Sequence, residues 1–174
     1  MTWSFVIRSQ DKISGTNNSG IYYLNFRILP REIKYFRLTF YFYTAPSYYK
    51  DTIAANHTIT YSANNGYITT NLVTSLSAET TGSPSNLLGF WTKQMNPTDI
   101  PAHPYLTYLY SGIENTSVPI TIMRPYNENI SINIYNLLNN QLLVDTDQTG
   151  TLLTDCGNWI LGLNLEPVLN ADKE

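Results

Sequence analysis

At 174 residues and 19.8 kDa the chain has the size of one domain built on one core. Only 13% of its residues are charged, against about 25% in an average soluble protein, so Asn, Thr, Ser and Tyr must fill the surface. A net charge of −3 and a pI near 5.3, with no cluster of Lys and Arg, exclude a phosphate-tracking nucleic-acid binder, and no apolar stretch is long enough for a spanning helix.

Thr2 to Arg8 alternates Trp3, Phe5 and Ile7 with polar residues and reads as a first strand, where a secretory leader would need a basic region and an apolar core. The expected site of synthesis is the cytosol. Ser9 to Gly20 is rich in Gly, Asn, Asp and Ser, which turn the chain by left-handed backbone angles and side-chain bonds to the main chain. Ile21 to Leu29 reads as a second strand, closed by Pro30, which has no N–H for a ladder. Tyr35 to Thr44 is the strongest: Phe36, Leu38, Phe40 and Phe42 alternate with Tyr35, Arg37, Thr39, Tyr41 and Tyr43, without Gly or Pro.

His57 to Ser62 and Tyr67 to Thr74 are predicted to form a hairpin around Asn64-Asn65-Gly66, because Asn-Gly suits a type I′ turn. Ser75 to Asn86 reads as a loop and Leu87 to Thr92 as a strand. Pro97, Pro101 and Pro104 make Lys93 to Pro104 a long surface connection. Tyr105 to Tyr110, Val118 to Arg124 and Asn129 to Asn136 follow as strands, the last two joined by a tight reversal at Pro125-Tyr126-Asn127-Glu128. Leu137 to Leu143 contains a turn at Asn139-Asn140 feeding a short strand at Gln141 to Asp145. Asn158 to Leu165 is the terminal strand, ended by Pro167.

About ten short, evenly spaced strands and no long amphipathic helix predict an all-β protein, an antiparallel β-sandwich or barrel. Residues 1–169 are expected to form one domain and 170–174 a flexible tail. The expected core draws on Phe36, Leu38, Phe40, Phe42, Ile120, Ile122, Ile130, Ile132, Ile134, Ile160, Leu161 and Leu163. Strict alternation cannot turn both Ile160 and Leu161 inward, so one of them needs a bulge or an interface.

No catalytic constellation accompanies this pattern. His57 and His103 stand far apart without Asp, Glu or Cys at ligand spacing, and Cys156 alone forms neither a disulfide nor a metal site. Asp145, Asp147 and Asp155 lack the terminal Glu of a calcium loop and are read as a solvated loop. Neither a Ser–His elbow nor a Gly-rich phosphate loop occurs. The expectation is a protein that is not an enzyme and takes no cofactor or metal. Arg27, Arg31, Lys34 and Arg37 are read as a solvated edge. Sequons begin at Asn17, Asn56, Asn115 and Asn129; in an Asn- and Thr-rich chain they arise by chance, and glycosylation is not expected.

The 14 Tyr residues are the main functional hint. Tyrosine is a good strand residue, but it also offers large area at low entropy cost with a polar tip, which suits protein interfaces and sugar stacking. Interface candidates are Tyr22, Tyr41, Tyr43, Tyr48, Tyr49, Trp91, Tyr105 and Tyr108.

Two regions carry a resemblance. Phe5-Val6-Ile7-Arg8-Ser9-Gln10-Asp11-Lys12-Ile13-Ser14-Gly15-Thr16 resembles the opening of small capsid-associated proteins of large icosahedral nucleocytoplasmic DNA viruses. Pro119-Ile120-Thr121-Ile122-Met123-Arg124-Pro125, then Asn129 to Ile134, then Trp159 to Pro167, are similar to the final strands of that group. The resemblance implies a single jelly roll of about eight to ten strands. It implies a minor capsid protein, made in the host cytoplasm and located in the virion, that bridges or cements major capsid capsomers. Its partners would be the major capsid protein and other minor capsid proteins, self-association included, with no nucleic acid and no membrane span. Asp11 would accept backbone N–H groups in a turn. The alternative is a carbohydrate- or receptor-binding β-sandwich with exposed Tyr and Trp91 as stacking platforms.

Overall fold

Alternation of apolar and polar side chains from Tyr35 to Thr44 produces the longest strand of the protein, with Phe36, Leu38, Phe40 and Phe42 all buried on one face. The computed structural model describes residues 1–44, 65–73, 86–95, 110–116, 119–144 and 153–169. Among them lie ten strands and no α-helix: β1 (Trp3–Arg8), β2 (Ser14–Gly15), β3 (Ser19–Tyr23), β4 (Tyr35–Thr44), β5 (Asn65–Thr70), β6 (Leu87–Met95), β7 (Tyr110–Thr116), β8 (Ile120–Met123), β9 (Asn129–Asn136) and β10 (Ile160–Pro167).

All pairings are antiparallel. They form a four-stranded sheet in the order β1-β10-β4-β8 and a six-stranded sheet in the order β2-β3-β9-β5-β6-β7. The chain is an antiparallel β-sandwich. One hydrophobic cluster fills the space between the layers, with Phe42 of β4 lying edge-on to Trp91 of β6 at 5.7 Å and to Trp159 at 6.3 Å. Each fully buried large apolar side chain contributes about 1.5–3 kcal/mol. Ile130, Ile132 and Ile134 of β9, Leu161 and Leu163 of β10 and Ile122 of β8 are buried as alternation requires, while Ile120 packs part-buried at the margin.

The conflict between Ile160 and Leu161 is resolved by a register shift between them in the β10–β4 ladder, which buries Leu161 and leaves Ile160 partly exposed. Gly162 follows, opposite Tyr41. A side chain on Gly162 would meet the Tyr41 ring at 2.6 Å, so the tyrosine lies over the glycine backbone.

Several expectations are corrected. Asn65 and Gly66 do not turn a hairpin: both lie in β5, paired with Thr92 and Trp91 on one side, and Gly66 also pairs with Asn136 on the other. Gly66 serves close packing, since a Cβ there would meet the Tyr135 carbonyl oxygen and come within 2.8 Å of the Trp91 indole. His57 to Ser62 lies outside the described residues. The second strand runs from Ser19 to Tyr23 and stops earlier than expected, because Asn25 Oδ1 accepts the Arg27 N–H at 3.2 Å and winds Phe26–Ile28 into a 3₁₀ turn. β6 continues to Met95, into the expected connection, because Lys93, Gln94 and Met95 find partners in β7. β7 begins at Tyr110, and residues 105–109 lie outside the description. Pro125 to Glu128 carries the chain from one sheet to the other, since β8 pairs with β4 and β9 with β3 and β5. The strand expected at Gln141 is a single bridge between Tyr135 and Leu142, preceded by Asn140 at φ 58°.

Gly66→Ala is expected to cost about 1–3 kcal/mol through overpacking against the indole. A lower urea midpoint with an unchanged slope checks this; an unaltered midpoint contradicts it.

Candidate interaction surfaces

Two of the expected interface residues belong to the core. Tyr22 and Trp91 are each 1% exposed, because the inward face of β3 carries Gly20 and Tyr22 while Trp91 occupies the inward position of β6 beside Gly66. Neither offers a surface to a partner or a sugar. Tyr41 is half-buried over Gly162. Tyr43 lies in β4, its side chain outside the description, and Tyr48, Tyr49, Tyr105 and Tyr108 lie outside the described residues.

Three aromatic residues meet on the outward face of the six-stranded sheet: Tyr67, Phe90 and Tyr135. In β5, Ile68 and Thr70 turn inward and Tyr67 outward; in β9 the three isoleucines turn inward and Asn129, Ser131, Asn133 and Tyr135 outward. Tyr67 and Tyr135 are directly opposed across the ladder, and their rings stack 4.9 Å apart at 6°. Phe90, paired with Tyr67 on the other side and 38% exposed, sets its ring 6.2 Å from Tyr67. The Tyr67 hydroxyl donates to Asn140 Oδ1.

Beyond the rings the same sheet face is a ladder of short polar side chains. Ser19 Oγ donates to Asn133 Oδ1 at 2.7 Å, the Ser131 N–H donates to Asn71 Oδ1 at 2.9 Å, and the Asn71 N–H donates to Ser131 Oγ at 3.2 Å. The outward positions of β3, β5 and β9 carry no charged residue. Groups that already bond to one another lose little on leaving water, so such a face packs against another protein surface at modest cost.

A second surface lies where β4 begins and β8 ends. Arg124 Nε donates to Pro30 O at 3.3 Å, Nη2 donates to Leu29 O at 3.0 Å, and the guanidinium sits 5.4 Å from the Tyr126 ring centre. Arg124, Pro125 and Tyr126 separate two depressions: one of about 560 Å³ beside β8 and the Asn71–Leu72 turn, another of about 610 Å³ walled by Phe26, Arg27, Arg31 and Glu128. Arg27 Nε lies 3.0 Å from Glu128 Oε1. Arg31, Lys34 and Arg37 are exposed, as a solvated edge requires, but the sequence did not connect them with Arg124.

Asp155 is not a solvated loop carboxylate. Its two oxygens accept the N–H groups of Asn17, Asn18 and Cys156, each at 2.8 Å, and the residue is half-buried. Asp11, to which the resemblance assigned that role, is exposed and faces Arg8 at 3.6 Å. Asn17 uses its amide to donate to Cys156 O at 3.0 Å and accepts from Lys12 Nζ at 2.9 Å. Cys156 is buried. Among the described residues no three His, Cys, Asp or Glu side chains converge. His57, His103, Asp145 and Asp147 lie outside them. No helix of the described residues is long and apolar enough to cross a membrane.

Comparison of the chain with protein-family models, with curated proteins and with solved structures finds no match.

Tyr22 lies against Trp159, ring centres 5.4 Å apart, and its hydroxyl has no hydrogen-bond partner among the described residues. Burial pushes its phenol above the ordinary value, and Cys156, Asp155 and Asp11 add to the shift. The neutral form is thus favoured in the fold, so stability is retained below the ordinary value of 10.0 and falls above it, where the unfolded chain alone releases the proton. Tyr22→Phe is expected to stabilise the protein by about 1 kcal/mol at neutral pH, with the advantage widening above the ordinary tyrosine value. Urea unfolding at neutral and alkaline pH checks both; a destabilised phenylalanine variant contradicts the assignment.

Proposed function

We propose that this chain is a single jelly roll that serves as a minor capsid component, joining major capsid capsomers and neighbouring minor capsid proteins through its sheet face and edge strands. The observation that carries the reading is the strand order. With the short β2 and the outer β7 set aside, one layer runs β1-β10-β4-β8 and the other β3-β9-β5-β6. This order supports the jelly-roll reading, in which two Greek keys interleave as in capsid and lectin domains.

Fold alone does not choose between those uses, and the exposed rings favour assembly. Tyr67 has Tyr135 against one side and Phe90 near the other, and Tyr135 turns one of its own faces to Tyr67. Sugar stacking needs free ring faces, whereas a protein partner can also use ring edges and the surrounding amides. The mechanism is geometric: modest contacts, repeated by symmetry, give avidity without one strong site.

Cross-linking mass spectrometry of purified particles tests the proposal. This chain is expected there, linked to the major capsid protein; its absence from particles, or selective binding on a glycan array, overturns the reading. The paired substitution Phe90→Ser and Tyr135→Ser is expected to lower incorporation more than about tenfold. Its thermal midpoint should remain well above the assay temperature, and undiminished incorporation would exclude this face.

A further inference from the structure

Among the described residues β8 is the outermost strand of its sheet, paired with β4 and ending the order β1-β10-β4-β8. Just past it the Arg124 N–H donates to Lys34 O at 2.7 Å. Residues bonding inward alternate along an antiparallel ladder, so Ile122 and Ile120 share the inward set with Arg124. The N–H and C=O groups of Thr121 and Met123 therefore point off the outer edge.

The depression of about 560 Å³ beside this edge includes Met123, Leu72 and Tyr126 in its walls, with Met123 68% and Tyr126 79% exposed. Across Arg124, Pro125 and Tyr126, in the neighbouring depression, the charge is unbalanced: Arg27, Arg31 and Arg124 stand against Glu128 alone, a surplus of two positive charges. Arg124 directs Nε and Nη2 at backbone carbonyls, while its Nη1 donates to no group among the described residues. Arg31 is exposed and has no partner among the described residues. Two surplus charges are too few to hold a phosphate backbone against salt, but they suit one or two carboxylates.

We propose that this edge binds an extended acidic segment of a partner protein, which adds a strand at Thr121 and Met123 and sets a carboxylate against Arg124 and Arg31. The segment pairs through its main chain, which supplies affinity; the arginines select its charge, and Met123, Leu72 and Tyr126 receive its apolar side chains. The proposal rests on the assembly reading only in taking the partner to be another shell protein.

The test is an NMR titration of the ¹⁵N-labelled full chain with a capped peptide of alternating Asp and Val, beside its Lys and Val counterpart. Shifts are expected at Thr121, Met123 and Arg124, with the lysine peptide at least about tenfold weaker. Thr121→Pro removes an outward N–H at an edge position where proline is tolerated. Arg31→Glu changes an exposed side chain and leaves Arg124 on its carbonyls. Each is expected to weaken binding about fivefold or more. Absence of shifts at millimolar peptide, equal binding of both peptides, or unchanged affinity in both variants overturns the proposal. So does concentration-dependent broadening at β8 without peptide, which would identify a second copy as the occupant. Failure here with the chain present in particles removes this inference alone; peptide binding by a chain absent from particles removes the assembly reading alone.

Discussion

Trp159 joins parts of the chain that are far apart in sequence. Its N–H donates to Ser9 Oγ at 3.1 Å, its carbonyl accepts the Ser9 N–H at 3.0 Å, and its indole N–H donates to Asn17 O at 2.8 Å. The same ring packs against Tyr22 of β3 and Phe42 of β4. By main chain and side chain together this residue leads into β10 between β1 and β4, and holds the first turn of the chain against it. β10 in turn joins β1 on one side to the β4–β8 pair on the other. The cost of ordering so long a loop is set by chain entropy, and contacts of this kind must offset it.

Asp155 works beside it in the same sense. A carboxylate that accepts three main-chain N–H groups turns the segment before β10 into a bracket around Asn17 and Asn18. Asn18 extends the bracket, donating from Nδ2 to Leu143 O at 2.8 Å and to Thr154 O at 3.2 Å. Buried and half-buried polar groups that satisfy one another in this way favour a single arrangement. The polar richness of the chain is therefore divided between two tasks. At the Trp159 end it fastens loops; on the outward face of β9 it leaves an uncharged surface.

What could be read from the sequence follows from the range of each signal. Period-two alternation is local, so β4 and β9 were placed at their observed ends, and the isoleucines of β9 and phenylalanines of β4 were assigned to the core. The clash between Ile160 and Leu161 was legible for the same reason. Asn65-Gly66 misled because turn chemistry is also local: the sequence cannot tell that the Trp91 indole, from a different strand, needs a residue without a side chain beneath it. Tyr22 and Trp91 were nominated for their type, while their partners Trp159 and Phe42 decided their burial. The triplet of Tyr67, Phe90 and Tyr135 was within reach, since the inward isoleucine pattern of β9 leaves Tyr135 outward. Its assembly depends on strand neighbours that only the fold reveals.

The two surfaces differ in the physics they bring to a partner. The face of β9 and β5 contributes area without net charge, so its contacts are weakly affected by salt and tolerate small changes in orientation. The β8 edge contributes main-chain groups at fixed spacing beside surplus arginine charge, so its contacts demand register and weaken as salt screens them. A broad face supplies most of its energy by burial, and an edge supplies selectivity by pairing and charge. A domain placed between larger neighbours, as proposed, would gain from having both. The face would adjust as the neighbours settle, while the edge would select a segment by its register and charge.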